Sequence, residues 1–391
     1  MVLFLHNRYR TTGGEERVVE DLMWVVRKQL GEPAELLSCS SAELGQAGAA
    51  LGLLRGGLRP HDVANAVSSA GARVVHAHNL QPSLGWRALA AAREAGARVV
   101  LHLHQYRLVC AIGVCFTRGA ECTRCHGRNT LPGVRLNCRA SVPEAGAYAT
   151  SLALWQRRIV EQADAFVVPS VFARERLRAL GAPLPWDRVH VVAPPVRALA
   201  HGAQSVGPHA EGDAGEGSYA LVVSRLAPEK GVDVAIDACR LAGMQLVIAG
   251  DGPQRAELEA QARAHLAPPG AAGPARRAVM FAGRVDDGEL ARLRAGASIA
   301  LVPSRSAETF GLAAAEAMAA GLPVAASRAG ALGELLDDDD LVAPGDAQAL
   351  AQSIVALAGD RARGARNVER VRAVCAPAVV ADALARVYDG T

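Results

Sequence analysis

The sequence predicts an α/β protein of two doubly wound domains, each a parallel sheet wrapped in helices. Three observations carry this expectation. Short apolar runs alternate with helical stretches along the chain, the order of elements that builds a parallel sheet. The runs end in loops that lead into helices, as after Val2–His6 and at Gly250-Asp251-Gly252-Pro253, which is the opening of a doubly wound fold. An aperiodic stretch rich in Gly, Ala and His, residues 197–218, divides the alternation in two, and a chain of 391 residues is too long for one compact core.

Composition narrows the class. Half of the residues (50%) are hydrophobic, so each half can bury a core, and with aromatics at only 4% the helices must pack through Ala and Leu. A net charge of +3 with interspersed signs argues against nucleic acid as a partner. No apolar run reaches the ~18 residues of a membrane span. Val2–Leu5, interrupted by His6-Asn7-Arg8, is too short for a secretory leader. A soluble cytoplasmic enzyme is the expectation.

In the first half, strand Val2–His6 runs into a loop ending Gly13-Gly14-Glu15, and a helix follows over Glu16–Leu30. A Gly-Gly pair there can bring backbone amides against a phosphate or simply make a turn. A strand is expected at Ala34–Leu37, then helices broken at Gly56-Gly57. Strand Val74–His78 ends in Asn79, and helix Leu84–Ala95 follows; His76 packs in the sheet while His78 and Asn79 stand at the strand end, where sites of such folds gather. Strand Arg98–His102 leads to His104-Gln105-Tyr106-Arg107. A histidine at this position can relay a proton, bond a hydroxyl, or be an ordinary loop residue. Helix Tyr148–Val160 carries Leu152, Trp155 and Ile159 on one side, read as a core face in preference to a lipid-facing one. Strand Ala165–Pro169, helix Val171–Leu180 capped by Ser170, and strand Val189–Ala193 complete this half.

The eight cysteines are unevenly spread: Cys39, Cys239 and Cys375 are isolated, and five cluster between 110 and 138. Without a leader, the cluster favours a metal over disulfides. Cys122-Thr-Arg-Cys125 is a zinc-type knuckle, flanked by Cys110 and Cys138 with eleven and twelve residues between. Four thiolates would staple a polar loop as a structural site, with Cys115 and His126 as substitutes; the alternative is a set of reduced thiols.

The second half repeats the pattern. Strand Tyr219–Val223 is followed by Ser224–Gly231 and a helix to Leu241. Arg225 and Lys230 lie in that loop, a fork and a point charge that can neutralise a diphosphate. Strand Gln245–Ala249, helix Arg255–Leu266, a loop at 267–274 and strand Val279–Ala282 follow, the last ending in Gly283-Arg284-Val285 before helix Asp287–Ala295. Strand Ile299–Val302 then ends at Pro303-Ser304, a polar loop runs to Thr309, and an Ala-rich helix spans Phe310–Ala320 before strand Val324–Ala326. Glu308 precedes this helix and Glu316 lies inside it, with seven residues between. Free amides near Phe310, Gly311 and Leu312 make an anion site, and the two carboxylates can accept from hydroxyls, an arrangement that suits a sugar nucleotide. The acids Asp337–Asp340 are read as a solvated turn, and helices follow at Ala347–Leu357, Arg361–Val374 and Pro377–Tyr388.

The wording Pro303-Ser304, Glu308, Phe310-Gly311 and then Glu316-Ala317-Met318-Ala319-Ala320-Gly321-Leu322-Pro323-Val324 closely resembles the retaining nucleotide-sugar glycosyltransferases of family 4. Further matches are Arg225 with Lys230-Gly231 after four residues, and Gly13-Gly14-Glu15, so the resemblance covers most of the chain. It implies the GT-B fold, two doubly wound Rossmann-like domains facing a cleft: an acceptor-side domain over 1–196 with a Cys-rich insertion (110–138), a linker at 197–218, a donor domain over 219–374, and a terminal helix at 375–391 that crosses back. It implies that Gly14, with Gly13, faces the donor diphosphate, that Arg225 and Lys230 reach its phosphates, and that the backbone at Gly283 holds the base. By the same resemblance Glu316 binds ribose hydroxyls, Glu308 binds the sugar and holds it for front-face attack, and His104 contacts the sugar near its reacting carbon. Asn79 falls on the acceptor side. Gln105 stands where the family commonly has Asp, which removes any role that Asp has in orienting the loop.

The function implied is transfer of a sugar from a nucleoside diphosphate sugar to a saccharide or glycolipid hydroxyl, with retained configuration, in bacterial polysaccharide or glycolipid synthesis. Catalysis then needs no metal cofactor, because cations and amides stabilise the leaving diphosphate; peripheral contact with the inner membrane face would follow from a lipid-linked acceptor. The alternatives are an epimerase or hydrolase on the same fold, an inactive partner subunit of a transferase, and a zinc-dependent binding module.

Overall fold

A computed structural model describes residues 1–8, 13–200, 219–264 and 279–391. The tip of the first Gly-containing loop, most of the expected linker and the loop expected at 267–274 lie outside the described residues. The chain divides into two compact units: Met1–Thr117 with Glu121–Arg197 and Ala376–Thr391, and Ala198–Cys375 with Arg118–Ala120.

In chain order the first unit begins with β1 (Val2–Arg8), α1 (Gly14–Lys28), β2 (Ala34–Ser40), α2 (Gln46–Arg55), α3 (Pro60–Ala70), β3 (Val74–Ala77), α4 (Gly85–Glu94) and β4 (Arg98–His102). Two short strands, β5 (Phe116–Thr117) and β6 (Ala120–Glu121), and a short helix α5 (Leu131–Arg135) occupy the Cys-rich stretch. Then come α6 (Val142–Glu161), β7 (Ala165–Val168), α7 (Val171–Ala179) and β8 (Val189–Val191). The sheet is wholly parallel in the order β2-β1-β3-β4-β7-β8. The central strands β1, β3, β4 and β7 read as near-continuous apolar runs because helices cover both faces of such a sheet. Register sets Phe4 beside His76 and His76 beside Val100, so the carboxyl ends of β1, β3 and β4 come level.

The second unit holds β9 (Tyr219–Val223), α8 (Val232–Ala242), β10 (Gln245–Ala249), α9 (Arg255–Ala264), β11 (Val279–Gly283), α10 (Asp287–Gly296), β12 (Ala297–Val302), α11 (Leu312–Ala319) and β13 (Val324–Ser327). It continues through α12 (Leu332–Leu335), β14 (Leu341–Val342), α13 (Ala347–Leu357) and α14 (Arg361–Cys375). Its sheet is also parallel and six-stranded, in the order β11-β10-β9-β12-β13-β14. The last helix, α15 (Pro377–Asp389), belongs to the first unit and buries Val380, Leu384, Val387 and Tyr388 there.

Several boundaries differ from the sequence reading. Helix α6 starts at Val142 rather than Tyr148, because Ser141 caps it by accepting from Glu144 N and Pro143 suits the first turn. Its expected apolar face is a core face: Leu152 and Ile159 are buried, and Trp155 packs on Trp86. Helix α11 begins at Leu312, so Phe310 and Gly311 lie on its approach rather than in it. The acid run is not a uniformly solvated turn. Asp340 is fully buried, with Arg363 Nη1 3.0 Å from its Oδ1, and Asp337 is paired with Arg363 and Arg370. Burial outweighs Arg363 and lifts the Asp340 carboxyl above its usual range.

Candidate active site

In the second unit, the loops after β9 and β12 lock together at the carboxyl end of the sheet. Glu229 O accepts from Arg305 N at 2.8 Å and from Ser306 N at 3.2 Å. Gly231 makes the corner: its φ is +64°, and a Cβ there would come 2.1 Å from Pro303 O, so only glycine fits. This packing delivers Lys230 to Glu308. Lys230 Nζ donates to Glu308 Oε1 at 2.7 Å, and Ser304 Oγ donates to the same oxygen at 2.5 Å. Burial raises the Glu308 pKa, but the Lys230 charge and the two hydrogen bonds outweigh it, so the carboxyl stays below its ordinary range and is ionised at neutral pH.

Arg225 forms an ion pair with Glu229 and keeps half of its side chain exposed, so its guanidinium retains donors for a ligand. Arg305 makes a two-pronged bond to Asp233, Nη1 to Oδ1 at 2.8 Å and Nη2 to Oδ2 at 2.5 Å. Gly311 precedes α11 with a φ of +100°, and a Cβ there would meet Leu332 Cδ2 at 2.5 Å. The free first-turn amides of α11 therefore fall at and just after Leu312, one step later than a helix starting at Phe310 would put them. Glu316, inside α11, is held by Arg294 at the end of α10. Gly283 closes β11 and its carbonyl accepts from Gly250 N at 2.7 Å.

In the first unit, Gly14 opens α1, and Gly13 N donates to Glu16 Oε2 at 2.8 Å. Beyond β3 and β4 lies a cavity of about 70 Å³ whose lining includes the polar residues Glu15, His78, Asn79, His104 and Gln105 and the apolar Leu101, Leu108, Leu152 and Ile159. Gln105 Nε2 donates to Glu15 Oε2 at 3.4 Å. Asn79 reaches the cavity wall, but its amide donates to Asn7 O at 2.6 Å and ties β3 to β1. His104 is half-buried, and its Nε2 lies 2.7 Å from His78 Nδ1.

Behind His104 the imidazoles form a stack. His102 and His104 have centroids 4.0 Å apart, His76 and His102 5.4 Å, and His76 and His78 4.5 Å. His76 Nδ1 meets Tyr388 Oη of α15 at 2.8 Å. Burial, and for His78, His102 and His104 also the neighbouring imidazoles, lowers all four pKa values, with His76 and His104 pushed down to about 3. His76, His78 and His102 offer ligand atoms within 4.8 Å of one another. Their planes differ by only 11° to 29°, so the in-plane lone pairs run alongside one another and a common ion would lie out of plane of at least one ring.

The expected zinc ligands Cys110, Cys122, Cys125 and Cys138 are not brought to one point. Among the described residues, His76, His78 and His102 are the set of three ligand groups that lie that close. Cys110 is instead hydrogen-bonded to Cys115, which, with backbone amides of Ile112, Gly113 and Cys115, pushes its thiol down to about 6 against the effect of burial. Cys138 Sγ points to Thr117 Oγ1 at 3.6 Å. Cys110 and Cys122 nonetheless lie near enough to Cys115 and Cys125 for their charges to raise both thiols, so Cys110 and the knuckle share one neighbourhood while Cys138 meets Thr117.

Sequence reasoning missed Ser304, Arg294, Glu15 and the His78–His104 bond. Ser304 stood in the quoted motif and was open to inference from its place at a strand end; Arg294 carried no signal, since its helix also holds an exposed Arg292.

Two family models match: a glycosyl transferase 4-like domain over residues 3–195 and glycosyl transferases group 1 over residues 209–373. Glycogen synthase of Mycobacterium tuberculosis is 39% identical over 160 residues, 39% of this chain and 36% of that protein. Phosphatidyl-myo-inositol mannosyltransferase of Mycobacterium leprae is 35% identical over 181 residues, 41% of this chain and 43% of that protein. D-inositol 3-phosphate glycosyltransferase of Acidothermus cellulolyticus is 30% identical over 264 residues, 64% of this chain and 56% of that protein. The chain thus matches from about a third to a little over half of the length of these relatives. Among solved structures, Anabaena HepE in complex with UDP and glucose aligns with a TM-score of 0.62 at 19% identity, covering 100% of this chain and 99% of that one. Sucrose-phosphate synthase from Thermosynechococcus elongatus aligns with a TM-score of 0.66 at 19% identity, covering 100% and 98%.

Proposed function

The chain belongs to the group 1 glycosyltransferases of family 4 and has their GT-B fold, and from that premise we infer that it moves a sugar from a nucleoside diphosphate sugar to a hydroxyl acceptor with retention of configuration. The observation that carries this reading is the Lys230–Glu308–Ser304 group, set beside Arg225 and the start of α11. Cations and open amides at one end of a parallel sheet suit a diphosphate, and an ionised carboxylate beside them suits sugar hydroxyls.

In this reading Arg225 and Lys230 bind the phosphates, with the amides at the start of α11 and, from the first unit, Gly14. They stabilise the charge that grows on the leaving diphosphate. Glu308, already ionised, holds the sugar, Glu316 takes the ribose hydroxyls, and the backbone at Gly283 faces the base. His104 contacts the sugar near its reacting carbon. The acceptor side is assigned to Asn79 and the cavity beside it. No metal is assigned to catalysis, and the acceptor is proposed to be a bacterial saccharide or glycolipid, reached in the cytoplasm or at the inner membrane face. Solved relatives hold UDP and UDP-glucose, and curated ones include GDP-mannose-dependent enzymes, so both bases belong in the test.

The test is thermal stability against a panel of UDP-, GDP-, ADP- and dTDP-sugars, with Lys230→Ala alongside. The expected result is stabilisation by one nucleotide that the variant loses. No stabilisation by any of them would overturn the reading.

A further inference from the structure

The reaction proposed above uses one imidazole of the stack, His104, and leaves its neighbours unassigned. His104 has two fixed contacts. The face of its ring lies on His102, with planes 10° apart. Its edge meets His78, whose Nδ1 lies 2.7 Å from His104 Nε2. Both rings are neutral, because burial and the neighbouring imidazoles hold both pKa values well down. One hydrogen bond between two neutral imidazoles contains one proton, so its direction fixes both tautomers. If His104 donated, His78 would carry its own proton on Nε2, an atom buried without a hydrogen-bond partner. A buried N–H without an acceptor is the rarer arrangement, and a lone pair left there is better tolerated.

We infer that His78 is a positioning residue: it donates from Nδ1 to His104 Nε2 and so holds His104 in the tautomer whose proton is on Nδ1. The assignment has a chemical consequence. His104 then meets its ligand as a neutral N–H donor, suited to a hydroxyl or ether oxygen of the sugar, and does not act as a base through Nε2. A free imidazole prefers the proton on Nε2, so the tautomer has to be imposed by the neighbour. His78 and His104 are 26 residues apart and stand at the ends of adjacent strands, so the constraint comes from the sheet register rather than from the loop itself. The catalytic part of the inference rests on the reading of His104 as a sugar contact; the tautomer does not.

Two substitutions separate positioning from packing. His78→Asn keeps a donor where Nδ1 stands, and His78→Phe keeps the ring but removes the donor. Nitrogen-15 shifts of His104 in the full-length protein read the tautomer directly. Protonated Nδ1 is expected in the wild type and His78→Asn, with a shift toward protonated Nε2 in His78→Phe. In steady-state kinetics with the stabilising nucleotide sugar, His78→Phe should lower kcat at least about tenfold with KM for the donor within about threefold, and His78→Asn should recover most of the loss. Protonated Nε2 on wild-type His104, or equal losses of kcat in both variants, would overturn the inference. If His78→Phe does not fold, the wild-type and His78→Asn spectra still decide the direction of the bond. A wild-type protein that binds no nucleotide sugar overturns the transferase reading alone, and the spectra then decide the role of His78.

Discussion

Lys230 Nζ and Glu308 Oε1 meet at 2.7 Å across two loops that are 78 residues apart in sequence. The pair sets the charge of the carboxylate. Burial alone would lift Glu308 above 4.5, its ordinary value, and Lys230 reverses this. A carboxyl held low in the folded protein stabilises it above the unfolded pKa, and that contribution is lost as pH falls through the folded value. Lys230→Ala should therefore lower stability at neutral pH by about 1 kcal/mol, a modest figure because the pair is partly exposed. The gap to wild type should begin to narrow below about pH 4.5 and close as pH falls through the lower folded value. Urea denaturation of both proteins at pH 7 and pH 4 checks this; a gap of constant size would show that Lys230 does not control the carboxylate.

Glu316 and Arg294 form a more buried pair, with side chains 10% and 13% exposed. Removing one partner strands the other charge, so Glu316→Ala should destabilise by about 3–5 kcal/mol. The double substitution Arg294→Met with Glu316→Leu should recover much of that, since apolar packing can replace a buried pair. Donor affinity gives the second readout. If Glu316 binds ribose, the double variant regains stability but not donor binding, as followed by calorimetric titration; recovery of both would confine Glu316 to a structural role.

The fold was legible because apolar runs, Gly-containing loops and helix caps are local signals. Tyr219–Val223 reads as a buried strand without reference to anything distant, and Ser170 caps its helix within three residues. The donor-side candidates rest on the same kind of local signal: Arg225, Lys230 and Glu308 lie in loops after strands, and Glu316 lies in the helix that follows, at a spacing written in the chain. What the sequence did not show were pairings set by register and tertiary approach. Nothing local distinguishes Arg294 from Arg292, or the buried Asp340 from the acids before it. The cysteine spacing is equally silent about path: the structure sets Cys110 beside Cys115, within electrostatic reach of Cys125, and Cys138 against Thr117.

Gly231 tests whether the loop corner positions Lys230. An alanine there would have a φ of +64° and a Cβ 2.1 Å from Pro303 O. Backbone strain plus the clash should cost about 2–3 kcal/mol. The corner would also move, so the stabilisation by nucleotide sugar should fall in parallel with that of Lys230→Ala. Denaturation with and without ligand checks both; an alanine variant as stable and as responsive as wild type would show that the corner is not held against Pro303.

The imidazole stack makes stability depend on pH over a different range. His76 and His104 are pushed down to about 3 by burial from an ordinary value of 6.5, and His78 and His102 also lie well below it. In the unfolded chain each titrates near 6.5, so below that pH the unfolded state takes up protons that the folded state refuses. Stability is therefore complete above about pH 6.5 and falls as pH drops toward 3, by up to about 1.4 kcal/mol per pH unit for each imidazole. At pH 5, unfolding should take up about one proton per stacked histidine. Calorimetry in buffers of differing ionisation enthalpy measures that uptake. His102→Phe, which preserves a ring in the stack, should reduce it by about one proton. An uptake near zero in the wild type would mean that the folded protein accepts protons into the stack, and the neutral tautomer assigned to His104 would fall with it.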